Sequence, residues 1–174
     1  MRKVVITGGP GCGKTSLVNY LEKLGYYTLP EVFQTANSEE RMLLEKLYET
    51  DLLKFEERVF KMQINLENKI PPTQDLAFLD RGCGDIIAYL RVYGFSAPEW
   101  MIKLSKNRYD AIFVLDLIKS LKLTGRRGRK RKEVHKEIIS TYKNLGYQPV
   151  RVPQMSIRDR AMFILKYVKD KIYL

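Results

Sequence analysis

The eight residues GGPGCGKT, positions 8 to 15, sit between the apolar run Val4-Val5-Ile6 and a helical run that opens at Ser16. This is the pattern G-x-x-x-x-G-K-[ST] in the strand, loop and helix setting that gives it meaning. Gly8, Gly11 and Gly13 let the backbone curl tightly, so that successive N–H groups turn inward at a helix N-terminus, where the orphan amides and the helix dipole favour phosphate. Lys14 supplies a point charge for β and γ phosphates, and Thr15 a hydroxyl suited to Mg²⁺, which takes oxygen ligands in octahedral geometry. The expected nucleotide-holding set is Gly8, Gly9, Pro10, Gly11, Cys12, Gly13, Lys14, Thr15 and Ser16. The competing reading is a glycine-rich turn that holds no ligand.

Beyond the loop, apolar spacing alternates between strand and helix. Leu17, Leu21 and Leu24 recur at helical spacing before Gly25, and Tyr26 to Leu29 reads as a short strand. Leu52, Phe55, Val59, Met62 and Leu66 predict a long helix or helix pair over Ser38 to Asn68, stopped by Pro71 and Pro72. Leu76 to Asp80 (LAFLD) reads as a buried parallel strand with Asp80 at its carboxyl end. A helix after Asp85 follows, then strands at Ala111 to Leu115 and Pro149 to Val152, with a last helix capped by Ser156. Such alternation implies crossover units, a parallel sheet with helices on both faces, and ligands outside the carboxyl ends of the strands.

At 174 residues the chain suits one domain, 1–174, large enough to bury roughly 70% of its unfolded surface. No run approaches the about 18 apolar residues of a membrane span, and the first strand begins by Lys3, so no membrane association and a cytoplasmic setting are expected. Cys12 and Cys83 are the only cysteines, and a disulfide at Cys12 would obstruct the loop, so both are expected to be reduced thiols.

Net charge is +11, and much of the excess lies in RRGRKRK, Arg126 to Lys132, within a segment of about 117–132. Three readings compete for it: a lid whose Arg126 and Arg127 neutralise a transferring phosphoryl group, a nucleic-acid patch, or a solvated surface. His135, the only histidine, reads as solvent-facing, and Asp116 as a turn residue or cap.

Glu31, the pair Asp80-Arg81 and the basic segment all follow strands, so they converge on the edge that holds the loop. Phosphoryl transfer needs such a set: a metal clamp, cations where charge spreads, and a group that orients the attacking hydroxyl. Asp80 can ligate Mg²⁺ with Thr15 or accept a proton. Arg81 either binds an acceptor or braces the turn. These residues point to an ATP- and Mg²⁺-dependent phosphotransferase acting on a small nucleoside- or nucleotide-like acceptor, with Lys14, Asp80, Arg81, Glu31, Arg126 and Arg127 as its catalytic set. The alternative is a nucleoside triphosphatase coupled to a nucleic-acid or protein partner.

The stretches VVITGGPGCGKTSL, LEKLGYYTLPE, FLDRGCGDIIAYL, YDAIFVLDL and YKNLGYQPVRVPQMSIRDRAMFIL together resemble small AAA-labelled P-loop proteins, described as ATPases or kinases and similar to the ribosylnicotinamide kinase domain and to nucleoside and nucleotide kinases. The resemblance implies a P-loop NTPase three-layer α/β/α sandwich with a five-stranded parallel sheet in the order 2-3-1-4-5. It also implies ATP and Mg²⁺ at Lys14, Thr15 and Asp80, and an acceptor near Glu31, Arg81 and Asp85. Gln34 stands where relatives often carry an arginine.

Overall fold

The computed structural model describes residues 1–118, 121 and 130–172. Arg2–Thr7 (β1), Leu76–Asp80 (β3) and Ala111–Leu115 (β4) form the buried centre of the sheet, with the shorter Tyr27–Leu29 (β2) and Val150–Val152 (β5) at its edges. All pairs are parallel and the order is β2-β3-β1-β4-β5, as the resemblance implies.

Pleating divides the central strands between two cores. Val5, Ala77, Leu79, Ile112 and Val114 face one layer, while Val4, Ile6, Phe78, Phe113 and Leu115 face the other. Strands apolar at every position are what a sheet covered on both sides requires. On the second face lie Lys14–Lys23 (α1) and Ile157–Ile172 (α7), through Leu17, Leu21, Ala161 and Ile164. The first face is covered by Ser38–Thr50 (α2), Leu52–Asn68 (α3), Cys83–Val92 (α4), Glu99–Ser105 (α5) and Arg131–Asn144 (α6).

The Ser38 to Asn68 stretch is the helix pair, broken at Asp51, whose extended backbone (φ −151°, ψ 85°) places its carboxylate on the Lys54 amide at 3.1 Å. Asn37 caps α2 through the Glu40 amide, and Ser156 caps the Asp159 amide ahead of α7 at 3.1 Å. The short α5 lies in a stretch that sequence periodicity leaves blank, since seven residues carry under two helical repeats.

Strand registers bring five chain ends to one edge. Ile6 pairs with Asp80, Thr7 with Val114, Leu29 with Leu79, and Leu115 with Val152. The residues that follow each strand therefore share the edge where the glycine loop begins.

Candidate active site

The loop is held from both sides, and peptide geometry links the two. Lys14, 5% exposed, donates from Nζ to the carbonyls of Gly8 (2.9 Å) and Gly9 (3.1 Å). On the other side Arg131 donates to the carbonyls of Pro10 (2.8 Å) and Gly11 (3.3 Å), and Arg160 to that of Cys12 (2.7 Å). Among the described residues no peptide bond is cis, and in a trans peptide a carbonyl and the next N–H point in opposite directions. With the carbonyls of residues 10 to 12 turned toward the arginines, the N–H groups of Gly11, Cys12 and Gly13 face the Lys14 side. With the Gly8 carbonyl turned to Lys14, the Gly9 N–H points the other way, where it meets His135 Nδ1 at 3.2 Å. Gly8, Gly11 and Gly13 take φ of 137°, 70° and 90°, the region that favours glycine.

His135 is thus not solvent-facing, as its charged neighbours in sequence suggested. It is half-buried on α6, which packs directly on the loop: a Cβ on Gly9 would lie 2.9 Å from both the His135 Cβ and the Arg131 carbonyl. Burial lowers the imidazole pKa below its ordinary value, helped by Lys14, Arg131 and Arg151 and opposed by Asp116. A neutral ring keeps the acceptor nitrogen that Gly9 needs. Arg131 also donates to the carbonyls of Ile118 (2.9 Å) and Leu121 (2.7 Å), so one guanidinium ties the loop to the start of the basic segment.

Asp80 is 1% exposed at the end of β3. Its Oδ2 accepts from Thr15 Oγ1 at 2.6 Å, while Oδ1 is buried without a hydrogen-bond partner. Burial raises the Asp80 pKa, with Glu31 acting in the same direction and the Thr15 bond, Arg81 and Lys14 against it. A hydroxyl, a carboxylate and an orphaned carboxylate oxygen make a donor set suited to a hard cation. Among the described residues no group of three or more His, Cys, Asp or Glu gathers as a metal cage. Burial and then Arg81 lower the pKa of Lys14, opposed by Cys12, Asp80 and Asp85.

Arg81 adopts φ 75°, uncommon for a residue with a side chain and frequent at functional turns. Its Nε lies 3.0 Å from Glu31, its Nη1 3.8 Å from Asp85, and its guanidinium 5.9 Å over the Tyr89 ring. Asp85 is itself enclosed, with Oδ1 accepting from Thr7 (2.5 Å) and Oδ2 from Tyr142 (2.8 Å) and the Gly82 amide (3.1 Å). From behind, Tyr109 OH accepts from the Cys83 amide at 2.8 Å and donates to buried Glu67 at 2.8 Å. Next to this turn a small cavity of about 40 Å³ lies among Glu31, Glu56, Arg81, Asp85 and the aromatic side chains of Phe33, Phe55 and Tyr89.

Lys14, Thr15, Asp80, Arg81, Glu31 and Asp85 therefore come together, with Ser16 exposed on α1 beside them. Asp116 instead holds Arg151 through two contacts of 2.8 and 2.7 Å. Arg126 and Arg127 lie outside the described residues. Of the rest of the basic run, Lys130 donates to the Val92 carbonyl (2.8 Å), Arg131 is spent on the loop, and Lys132 is exposed. Arg160 and Glu56 went unsuspected in the sequence. Arg160 had a signal, because it shares the four-residue spacing of Ile164 and Val168 on a buried helix face.

The fold and this edge define a P-loop α/β protein of the nucleotide-kinase type. A family described as an AAA domain matches residues 3–160, and the chain belongs to it. No curated protein matches. Among solved structures, the chain is similar to the NadR protein in complex with NR, at 18% identity and TM-score 0.73, over 97% of this chain and 50% of that one. It is also similar to deoxyadenosine kinase from M. mycoides (14%, TM-score 0.67, 97% and 98% covered) and to thymidylate kinase from Ehrlichia chaffeensis (16%, TM-score 0.68, 96% and 98% covered). Among the described residues no helix is long and apolar enough to cross a membrane.

Proposed function

We propose that this chain is a kinase that transfers the γ-phosphoryl group of ATP to a small acceptor seated in the Arg81 cavity. The observation that carries the reading is the pair Thr15 and Asp80, in contact at 2.6 Å with one Asp80 oxygen buried and unpartnered, next in the chain to Arg81, which lines the cavity. That pair would hold Mg²⁺, which when bound would neutralise charge on the phosphate oxygens. The Gly11, Cys12 and Gly13 amides bind phosphate, and Lys14 exchanges its two loop carbonyls for β and γ oxygens. Its lowered pKa reflects the burial that makes that exchange strong.

Glu31 lines the cavity, and either it or Asp80, next in the chain to Arg81, receives the acceptor proton. Arg81 orients the acceptor through the carboxylates it holds. Arg126 and Arg127 complete the proposed set as cations on the transferring group. A single incubation tests the reading: pure protein, γ-labelled ATP, Mg²⁺ and a panel of hydroxylated small molecules. Label transferred to an organic product is expected. Release of labelled inorganic phosphate alone, at a rate indifferent to every panel member but raised by an oligonucleotide, would replace it with the partner-coupled triphosphatase.

A further inference from the structure

Resting on the kinase reading, we infer that Asp85 is a positioning residue and not a ligand of the acceptor. It is a buried strut that fixes the phosphate loop against the Asp80-Arg81 turn, and so sets the place of Asp80 opposite Thr15. The bonds already made by its two oxygens decide this. Asp85 is 1% exposed, and three protein donors converge on it: Thr7 Oγ1 on Oδ1 at 2.5 Å, with Tyr142 OH and the Gly82 amide on Oδ2 at 2.8 and 3.1 Å. A carboxylate has about four lone-pair sites. With Arg81 Nη1 a further neighbour, 3.8 Å from Oδ1, little is left for a hydrogen of the acceptor.

The bond to the Gly82 amide is ordinary. Asp85 is the third residue of α4, its own amide donates to the Gly82 carbonyl at 3.0 Å, and an acid at this position commonly closes a helix start in this way. Capping explains a contact on Oδ2 and leaves Oδ1 unexplained. Oδ1 reaches Thr7, the last residue of β1, 78 positions away and next in the chain to Gly8. Thr7 is fully buried, where a hydroxyl is unfavourable unless it is bonded.

The place of this bond gives it its effect. β1 and β3 pair as far as Ile6 with Asp80, and the Arg81 amide still donates to the Ile6 carbonyl at 3.0 Å. The chains then diverge, one into the glycine loop and the other into the turn at Arg81, whose φ of 75° must be held by its surroundings. Asp85 spans the two where they part. The 2.6 Å contact of Thr15 with Asp80 joins the end of the loop to the start of the turn, so it depends on how the two are set against each other. Tyr142 brings in α6, the helix that holds the loop's other flank through Arg131 and His135.

Calorimetric titration with AMP-PNP, in EDTA and in Mg²⁺, tests the strut without an acceptor. In the parent, Mg²⁺ is expected to tighten binding, as a metal held by Thr15 and Asp80 requires. Asp85→Asn and Thr7→Val should each cut that enhancement by about fivefold to tenfold, the effect of one hydrogen bond. Affinity in EDTA should change little, because Lys14, Arg131 and Arg160 shape the loop through contacts of their own. The double variant should lose no more than the worse single, since both changes remove one contact. Thr7→Ser keeps the hydroxyl and should keep the enhancement, the reverse of what lost packing would give. If Asp85→Asn does not fold, the two Thr7 variants decide alone. An enhancement unaltered in folded Thr7→Val and Asp85→Asn proteins, or equal losses in Thr7→Ser and Thr7→Val, would overturn the inference and leave the kinase reading standing. Absence of any Mg²⁺ effect in the parent would overturn both.

Discussion

Asp80 is a side chain whose ionised form the fold holds at a cost. Its pKa is raised, chiefly by burial, so at neutral pH the folded protein holds an ionised group that the unfolded chain would hold more cheaply. The sign follows: the unfavourable contribution is complete above the raised native pKa and disappears as the pH falls below the unfolded value near 3.9. Asp80→Asn is therefore expected to melt no lower than the parent at pH 7 without nucleotide. Any gain should shrink as the pH falls through the range where Asp80 protonates, and phosphoryl transfer should be lost. A melting temperature well below the parent's at pH 7 would show that the carboxylate supports the fold. For Lys14→Ala, loss of a charge-assisted contact worth about 1.5–3 kcal/mol should weaken AMP-PNP binding by about tenfold to a hundredfold in calorimetric titration. These two positions were legible because the loop pattern and a strand ending on a carboxylate are local. Arg81 as a paired residue was not, since its partner Glu31 is fifty positions away and meets it only through the register of β2 with β3.

Helix α6 is the element whose role changed most between sequence and structure. Its charged sequence reads as a solvated face, yet Arg131 and His135, one turn apart, lie against the loop. Helical periodicity finds apolar stripes, and a stripe of polar side chains facing backbone carbonyls leaves no such mark. The lowered His135 pKa gives the contact a pH signature. Stability from the neutral ring is present above about pH 6.5 and lost as the pH falls toward the depressed native value. Asp116, Lys14, Arg131 and Arg151 are the charged groups acting on the ring, and only Asp116 favours its protonation. His135→Asn puts an amide oxygen near the Nδ1 position, so it should keep AMP-PNP affinity and flatten the melting profile below pH 6.5. His135→Leu should weaken binding severalfold, and equal affinity in all three proteins would refute the coupling. The same helix meets α4 at Gly84, where an added Cβ would lie 2.6 Å from the Tyr142 ring. Gly84→Ala is expected to cost about 1–3 kcal/mol in urea unfolding, by pushing Tyr142 off Asp85.

At the scale of the molecule, the layer order was readable because Val4-Val5-Ile6 in β1, Leu76 to Leu79 in β3 and Ala111 to Leu115 in β4 are unbroken apolar runs, as strands covered on both faces must be. The strand order came from resemblance, and the short α5 escaped for want of length. Convergence of five strand ends also concentrates ligand effects on one edge that all layers share. A nucleotide at a hundred times its Kd adds about 2.7 kcal/mol, and at this chain length that should raise the melting temperature by about 5–10 °C. Scanning calorimetry with Mg²⁺ and AMP-PNP checks the figure, and Lys14→Ala at the same nucleotide concentration should remove about half of the rise or more.

Pro10 sits where the loop reverses which of its groups look inward. The carbonyl before it is turned to Lys14, so any other residue at this position would send a hydrogen toward the flank from which Arg131 and His135 approach. That flank presents guanidinium hydrogens, an imidazole nitrogen already taken and the Arg131 carbonyl beside Gly9. An ordinary amide there would add a donor next to the guanidinium that the Pro10 carbonyl accepts from, and the imino acid has none to add.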